Sequence, residues 1–343
     1  MDTVLLLGGA GYIGAHAAKR LAERGIRPVV VDSLLAGSAS FVRWGPLEVA
    51  DIRDTVRLQS ILNAYSPKSI MHFASLTSVA DSHYNPREYF DVNVAGTLSC
   101  LEAIRRSGRA VSLIFSSTAA VYGSSHGEPI PEEAPLEPNN IYGCTKLLCE
   151  QLIRQYHTQY GLRFAILRYF NAAGADGDAE IGESHDPETH LIPRIIQTAL
   201  ANDRALTING TDYATPDGTC IRDYIHVSDL ASAHHMAFQY LDRGGASDVF
   251  NIGTGTGYSV LEIVRGVEHL IGRPISLRFG VRRSGDAPIL IASPAKAEKI
   301  LGFHAAQSDL SALLATALRW HVTQAKRRLL YDHTSQGELL QSA

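Results

Sequence analysis

Short apolar runs alternate with stretches in which apolar positions recur every three or four residues, and this alternation governs the first half of the chain. Val4-Leu5-Leu6-Leu7 is apolar at every position, as a strand buried on both faces requires. Ala15 to Arg24 carries a helical stripe closed by Gly25, and Pro28-Val29-Val30-Val31-Asp32 predicts the next strand. Leu47-Glu48-Val49, Ser69 to Phe73, Ser112 to Ser116 and Phe164 to Arg168 read as further strands, the last three each preceded by a helical stretch. Such a pattern predicts an α/β fold with a doubly wound parallel sheet, whose ligands sit at the carboxyl ends of the strands. From about Gly174 the pattern loosens. Gly, Pro and Asp crowd 174–193 and 209–218, and helices return at Ser228–Asp242 and Ser259–Ile271. The expected division is a dinucleotide-type domain over 1–173 and a smaller α/β substrate lobe over 174–328, some of whose segments return to the sheet. A flexible tail is expected over 329–343.

Composition narrows the function classes. The 343 residues are 45% hydrophobic and 19% charged, with a net charge of −4. No basic field attracts nucleic acid or an anionic membrane surface, so phosphate binding must rest on backbone amides and a few placed arginines. The first residues lack a basic segment and break into glycines at Gly8, which fits a buried strand better than a signal peptide, and no apolar run is long enough to span a bilayer. Cys100, Cys144, Cys149 and Cys220 show no ligand spacing and read as free thiols of a reducing compartment, the cytoplasm. His234 and His235 are adjacent helical positions that point different ways, and no metal site is expected.

Gly9-Ala10-Gly11-Tyr12-Ile13-Gly14 matches G-x-G-x-x-G, with Gly8 in front, between a predicted strand and a predicted helix. Glycines there allow a tight turn and close approach to a pyrophosphate at the helix N-terminus, as in Rossmann-type domains. Asp32, at the end of the second strand, can accept hydrogen bonds from an adenosine ribose and repel a 2′-phosphate, which favours NAD over NADP. Asp51, followed by Ile52, either helps hold the adenine or caps the helix beginning near Thr55.

Tyr142 and Lys146, at i and i+4, share one face of a predicted helix. A tyrosine is a poor base at neutral pH, but a neighbouring ammonium and a cationic nicotinamide ring both favour its phenolate. Such a tyrosine takes a proton from an alcohol while hydride leaves the same carbon. Ser116-Ser117-Thr118 ends an apolar strand at the carboxyl edge of the sheet, and Thr118 is the natural partner for a substrate hydroxyl.

Together, Gly8 to Gly14, Ser116 to Gly123 and Tyr142 to Lys146 resemble the extended short-chain dehydrogenase/reductase family and, within it, the UDP-glucose 4-epimerases. Arg168 to Asn171, Thr189 to Pro193, Asp217 to His226 and Arg282 to Asp286 extend the likeness, which runs from about Val4 to about His321. The resemblance implies that Tyr142 is the base, that Lys146 holds the nicotinamide ribose and that Thr118 bridges to the sugar 4-hydroxyl. It implies a cofactor site that adds Tyr12, Ile13, Asp51, Ile52, Phe73, Ala74 and Ser75 to Gly8, Gly11, Gly14 and Asp32. Thr77, Asn93, Ser116, Tyr169 and Phe170 complete that site. It implies a UDP-sugar site formed by Asn171, His190, Leu191, Thr207, Asn209, Arg222, Tyr224, Arg283 and Asp286, the two arginines suiting a diphosphate. Leu290, four past Asp286, lines the sugar end and is large enough to favour hexoses without an N-acetyl group, UDP-pentoses fitting as well. A homodimer is also implied. Ala15, Val92, Ser75 and Thr77 depart from the commonest family residues around the cofactor.

The reaction so implied interconverts UDP-glucose and UDP-galactose through a 4-keto sugar, with NAD reduced and reoxidised in each turnover. Related dehydratases carry an Asp-Glu pair after the threonine, and this chain has Ala119 and Ala120 instead. A non-catalytic NAD-binding sensor is the alternative of a different class, and the intact Tyr142/Lys146 pair weighs against it.

Overall fold

The computed structural model describes residues 1–124, 129–201, 205–282 and 286–341, with side chains through Arg327. The first half builds strands β1 (Thr3–Leu7), β2 (Arg27–Asp32), β3 (Leu47–Val49), β4 (Ser69–His72), β5 (Ser112–Thr118) and β6 (Phe164–Tyr169). Between them lie helices α1 (Tyr12–Glu23), α2 (Thr55–Tyr65), α3 (Val79–Tyr84), α4 (Pro86–Tyr89), α5 (Gly96–Ser107) and α6 (Ile141–Tyr160). The chain then crosses into β7 (Asn171–Ala173), α7 (Leu191–Ala201), β8 (Leu206–Asn209), β9 (Ile221–His226) and α8 (Val227–Asp242). It ends in β10 (Asp248–Ile252), β11 (Gly257–Ser259), α9 (Val260–Ile271), β12 (Leu277–Gly280), β13 (Ile289–Leu290), α10 (Ala295–Leu301) and α11 (Leu310–Gln341).

Seven parallel strands in the order β10-β6-β5-β4-β1-β2-β3 form the main sheet, with β1 between β4 and β2. Side chains alternate across it as the pleat demands. Val4 and Leu6 pack with Ala17 and Leu21 of α1 and Leu230 and Phe238 of α8. Leu5 and Leu7 pack with Leu58 and Ile61 of α2, Leu101 of α5 and Ile153 of α6 on the other face. Each such leucine, fully withdrawn from water, stabilises the fold by about 1.5–3 kcal/mol. The direction of winding reverses between β1 and β4, which opens a crevice at their carboxyl ends.

A second sheet gathers β7, β11 and β13 around β9, and β8 pairs with β12 beside it. The third apolar cluster, Ile195 and Ile196 of α7 with Ile263 and Val267 of α9 and Leu313 of α11, supports these strands. The return of the chain through α8 and β10 closes the far edge of the main sheet. Helix α1 begins at Tyr12, ahead of the predicted Ala15, because Gly11 is its N-cap. The segment expected as a flexible tail continues α11 in backbone to Gln341. Among the described residues no helix is long and apolar enough to cross a membrane.

One charged pair lies inside this apolar frame. Arg168 of β6 donates from Nε to Glu150 Oε1 at 3.0 Å and from Nη2 to Glu150 Oε2 at 2.7 Å, both side chains being almost completely buried. Ser117 Oγ of β5 donates to the same carboxylate at 2.5 Å, and Arg168 Nη1 donates to the Tyr122 hydroxyl at 2.9 Å. Burial opposes the guanidinium charge, but the Glu150 hydrogen bonds and charge outweigh it, so the Arg168 pKa rises.

Removing one partner strands a buried charge. Glu150→Leu should therefore cost about 3–5 kcal/mol, and Glu150→Leu/Arg168→Met should recover much of that loss. Urea-denaturation midpoints check this, and a single-variant loss below about 1 kcal/mol would contradict it. Burial also lowers the pKa of His16 to about 4, of His72 to about 3 and of His234 to about 4. These imidazoles stay neutral in the folded state while the unfolded chain takes up protons, so stability should fall as pH drops from about 6.5 towards 4. Melting temperatures at pH 7.5, 6 and 5 should decline in that order.

Candidate functional site

The glycine loop is shaped by what its neighbours allow. Gly8, at φ 78°, donates its amide to the Val31 carbonyl at 2.8 Å, and a Cβ there would come within 2.5 Å of the Ala74 amide nitrogen. A Cβ on Gly14 would collide with the Gly8 carbonyl. Gly11 offers no capping side chain, so the first amides of α1 face the crevice without a side-chain partner. Asp32 is buried, accepting from the Ala10 amide at 3.0 Å and the Leu34 amide at 2.8 Å, and so ties the glycine loop to the end of β2. Each oxygen keeps a lone pair for a ribose hydroxyl. These features fit a dinucleotide: a pyrophosphate has a helix start to lie on, and a buried carboxylate stands beside it.

The remaining cofactor candidates surround the same crevice unevenly. The Phe73 and Ala74 amides bond the Leu7 carbonyl, and the Phe73 ring lies 4.6 Å from that of His234. Asn93 is buried in a wide helical turn over Phe90–Ala95, where it bonds both backbone groups of Leu76 and donates to Thr145 Oγ1 at 3.0 Å. It thereby joins the loop after β4 to α6. Ser75 Oγ donates to the Leu76 carbonyl, and Thr77 is exposed. Asp51 does not cap α2, since Asp54 accepts from the Arg57 amide there. The half-exposed Asp51 instead binds Arg53 through both oxygens, and Ile52 is buried against Gly96.

A proton chain runs beneath the crevice. His234 Nδ1 lies 2.8 Å from the Leu230 carbonyl and must donate to it. The neutral imidazole then accepts through Nε2 from the Tyr169 hydroxyl at 2.5 Å, which in turn accepts from Ser116 Oγ at 2.5 Å. Ser116 and Tyr169 are thus held in fixed orientations. The sequence reading placed His234 in a helix as an ordinary histidine. Its partner Tyr169 lies 65 residues away, and no local spacing signals the pair.

Tyr142 and Lys146 extend from the first two turns of α6, whose N-cap Asn140 accepts from the Gly143 amide at 2.8 Å. The Tyr142 hydroxyl lies close enough to Thr118, at the end of β5, for the threonine to favour its phenolate, and Thr118 Oγ1 accepts from the Ala120 amide at 3.1 Å. Burial pushes the Tyr142 pKa up to about 12, against the influence of Thr118, with Tyr89 and Cys149 raising it further. Among the protein's own groups, desolvation is the largest influence on this tyrosine. Burial brings Lys146 down to about 8, while Cys149 and Glu150 favour its charge, and its Nζ lies 4.5 Å from the centre of the Phe115 ring.

The substrate candidates lie where the chain leaves the main sheet for the second one. Tyr169 ends β6, Phe170 turns the chain, and Asn171 begins β7 opposite Tyr224 of β9. Tyr224 is buried, whereas Asn171 is exposed. Leu290 pairs with Arg222 and packs on the Ala119, Phe170 and Ala292 cluster, next to Thr118. Arg222 Nη2 lies 3.9 Å from Asp286 Oδ1. Thr207 and Asn209 stand on β8, Leu191 opens α7, and Arg283 lies outside the described residues. His190 does not face open solvent alone: it pairs with Glu183 and lies 3.6 Å from Glu188. The most evident cavity elsewhere, lined by Arg20, Arg24 and His235, lies at the amino end of the sheet, the wrong end for a ligand of this fold.

Residues 4–253 match the model of the NAD dependent epimerase/dehydratase family. A UDP-glucose 4-epimerase of Rhizobium meliloti is 46% identical over 320 residues, covering 93% of this chain and 97% of the relative. The crystal structure of UDP-glucose 4-epimerase from Brucella ovis in complex with NAD superposes with a TM-score of 0.90 at 47% identity, over 93% of this chain and 98% of the other. A UDP-glucose-4-epimerase from Stenotrophomonas maltophila with bound NAD and formylated UDP-arabinopyranose gives 0.91 at 38% identity, over 95% and 100%. A glycine loop before α1, an aspartate ending β2 and a tyrosine beside the threonine that ends β5 thus occur in a chain that belongs to the NAD dependent epimerase/dehydratase family.

Proposed function

We propose that this protein is a UDP-glucose 4-epimerase, interconverting UDP-glucose and UDP-galactose with a retained NAD. The observation that carries the reading is the placing of Tyr142 beside Thr118, at the carboxyl end of β5, with Lys146 one turn further along α6. The Gly8 to Gly14 loop, Asp32 and Asn93 would hold NAD, which supplies a hydride acceptor that can return what it takes. Carbon 4 of the sugar carries no acidic proton, so its inversion goes through a ketone. Thr118 orients the 4-hydroxyl and Tyr142 takes its proton. The buried tyrosine ionises only where positive charge stands beside it, which Lys146 and a cationic nicotinamide ring provide. Arg222 and Asn171 would anchor the UDP group while the sugar turns over about its diphosphate link, remote binding energy retaining the ketone.

Ala119 and Ala120 leave no acid after Thr118, which separates this reading from a dehydratase. Leu290 beside Ala119 and Phe170 narrows the sugar end and favours hexoses or pentoses without an N-acetyl group. The four free cysteines suit a cytoplasmic enzyme. The exposed Leu98 of α5 and Leu148 of α6, on helices that pack side by side, offer an apolar face for a homodimer.

Purified protein given UDP-galactose and no added NAD should form UDP-glucose, followed by NMR. Failure with NAD shown to be bound would redirect the reading to another nucleotide sugar. Tyr142→Phe should lower kcat by about 10²–10⁴-fold without altering the folded state, and a near-normal rate would remove Tyr142 as the base. Leu290→Ala should raise turnover of UDP-N-acetylglucosamine by about 10-fold or more relative to UDP-glucose. An unchanged ratio would show that Leu290 does not bound the sugar end.

A further inference from the structure

Four side chains, of which only His190 belongs to the implied UDP-sugar site, converge in the loop between β7 and α7. Glu183, His185, Glu188 and His190 each present a donor atom, and these atoms all lie within 4.8 Å of one another. Both glutamate side chains are nearly buried, at 5% and 4% exposure, and the histidines close the outer side. His185 Nδ1 lies 3.4 Å from Glu183 Oε1 and 3.9 Å from Glu188 Oε2, and His190 Nδ1 lies 3.6 Å from Glu188 Oε1.

His190 pairs with Glu183, but hydrogen bonding leaves two other atoms of the cluster unmatched. The Thr189 and His190 amides both bond Glu188 Oε1, at 2.8 and 2.9 Å. Glu188 Oε2 and His185 Nδ1 are buried atoms without a hydrogen-bond partner, facing each other at a distance too long for a bond between them. Each unmet buried group is destabilising, because it has given up water without gaining a partner. A tetrahedral ion with ligands at about 2.1 Å spaces its donors about 3.4 Å apart, close to the 3.4, 3.6 and 3.9 Å separations above, and the closer His190–Glu183 pair would open to admit it. Two imidazole nitrogens and two carboxylate oxygens suit Zn²⁺ rather than Mg²⁺ or Ca²⁺, which favour all-oxygen shells.

We propose that Glu183, His185, Glu188 and His190 form a binding site for a divalent transition-metal ion, with Zn²⁺ as the best fit. The ion neutralises two buried carboxylates and satisfies both stranded atoms. It also fastens the loop whose start accepts the Tyr12 hydroxyl at the Gly174 carbonyl, 2.6 Å away, and whose end opens α7. Tyr12 begins α1 at the glycine loop, so the site ties the cofactor side of the crevice to the substrate side.

The test is calorimetric titration of ZnCl₂ into tag-free, full-length protein dialysed first against EDTA and then against metal-free buffer. One equivalent should bind, and His185→Ala/Glu188→Gln should weaken binding by more than about 100-fold. Circular dichroism of the variant shows whether it is folded. If it is not, the visible absorption of Co²⁺ bound to the unaltered protein reports a four-coordinate nitrogen and oxygen site. No saturable Zn²⁺ binding, binding undiminished in the folded double variant, or a Co²⁺ spectrum of six-coordinate type would each overturn the site. The readout is metal binding itself, so an inactive enzyme that still binds Zn²⁺ would count against the proposed activity and leave the metal site standing.

Discussion

The buried Arg168–Glu150 pair is the constraint on which the crevice depends, because it joins the elements that must meet there. Arg168 precedes Tyr169, the residue that sends the chain from the first sheet into the second. Glu150 lies one turn beyond Lys146 on α6, and Ser117, bonded to the same carboxylate, precedes Thr118. A shift of α6 along β5 would break hydrogen bonds to a charge that has no water to turn to. Hydrophobic packing alone tolerates such sliding, since it is non-directional. A bidentate ion pair does not. The register of Tyr142 against Thr118 is thereby fixed by a contact that touches neither of them.

The same dryness works against the chemistry. Burial pushes Tyr142 towards its neutral form and brings Lys146 down towards neutrality as well. A tyrosine that stays protonated without its partners cannot act as a base towards stray water or alcohols. Positive charge beside the phenol reverses the balance, and in a medium of low dielectric it does so strongly. A base that depends on a bound cation for its ionisation is competent only when the oxidant is in place. That coupling suits a reaction whose intermediate must not be released.

What could be read from the sequence was what local spacing encodes. The period of apolar positions gave the order of strands and helices of the first half, and an i, i+4 pair placed Tyr142 and Lys146 on one helix face. The glycine fingerprint needed only its own neighbours. By contrast, β10 pairs with β6, from a segment beyond the looser half of the chain, and no periodicity announces which edge a strand will join. The Ser116, Tyr169 and His234 chain spans separations of 53 and 65 residues. The burial of Tyr142 was beyond reach because it emerges only after packing. The cluster from Glu183 to His190 is the opposite case: Glu-x-His-x-x-Glu-x-His was visible as a string. It went unread because it follows no familiar ligand spacing and lies in a stretch that reads as loop.

The two sides of the crevice differ in how tightly they are held, and the difference bears on mechanism. On the side of the main sheet, Asp32, Asn93, Ser116, Lys146 and Glu150 are buried, and Asp32, Asn93, Ser116 and Glu150 have their polar atoms committed to named partners. On the other side, Asn171 is exposed, and Arg222, which donates from Nη1 to the Ile221 carbonyl at 2.8 Å, meets Asp286 only at 3.9 Å, so part of the guanidinium's hydrogen-bonding capacity is still to be spent. A diphosphate would draw on that capacity, since guanidinium forks match its oxygens. A sugar beyond it would meet apolar surface at Leu290 and Phe170. Apolar contact is indifferent to orientation, whereas hydrogen bonds to each hydroxyl would favour one epimer over the other. A site that must present both faces of one carbon to the same oxidant is better served by rigid chemistry, a firmly anchored nucleotide and a smooth wall around the sugar.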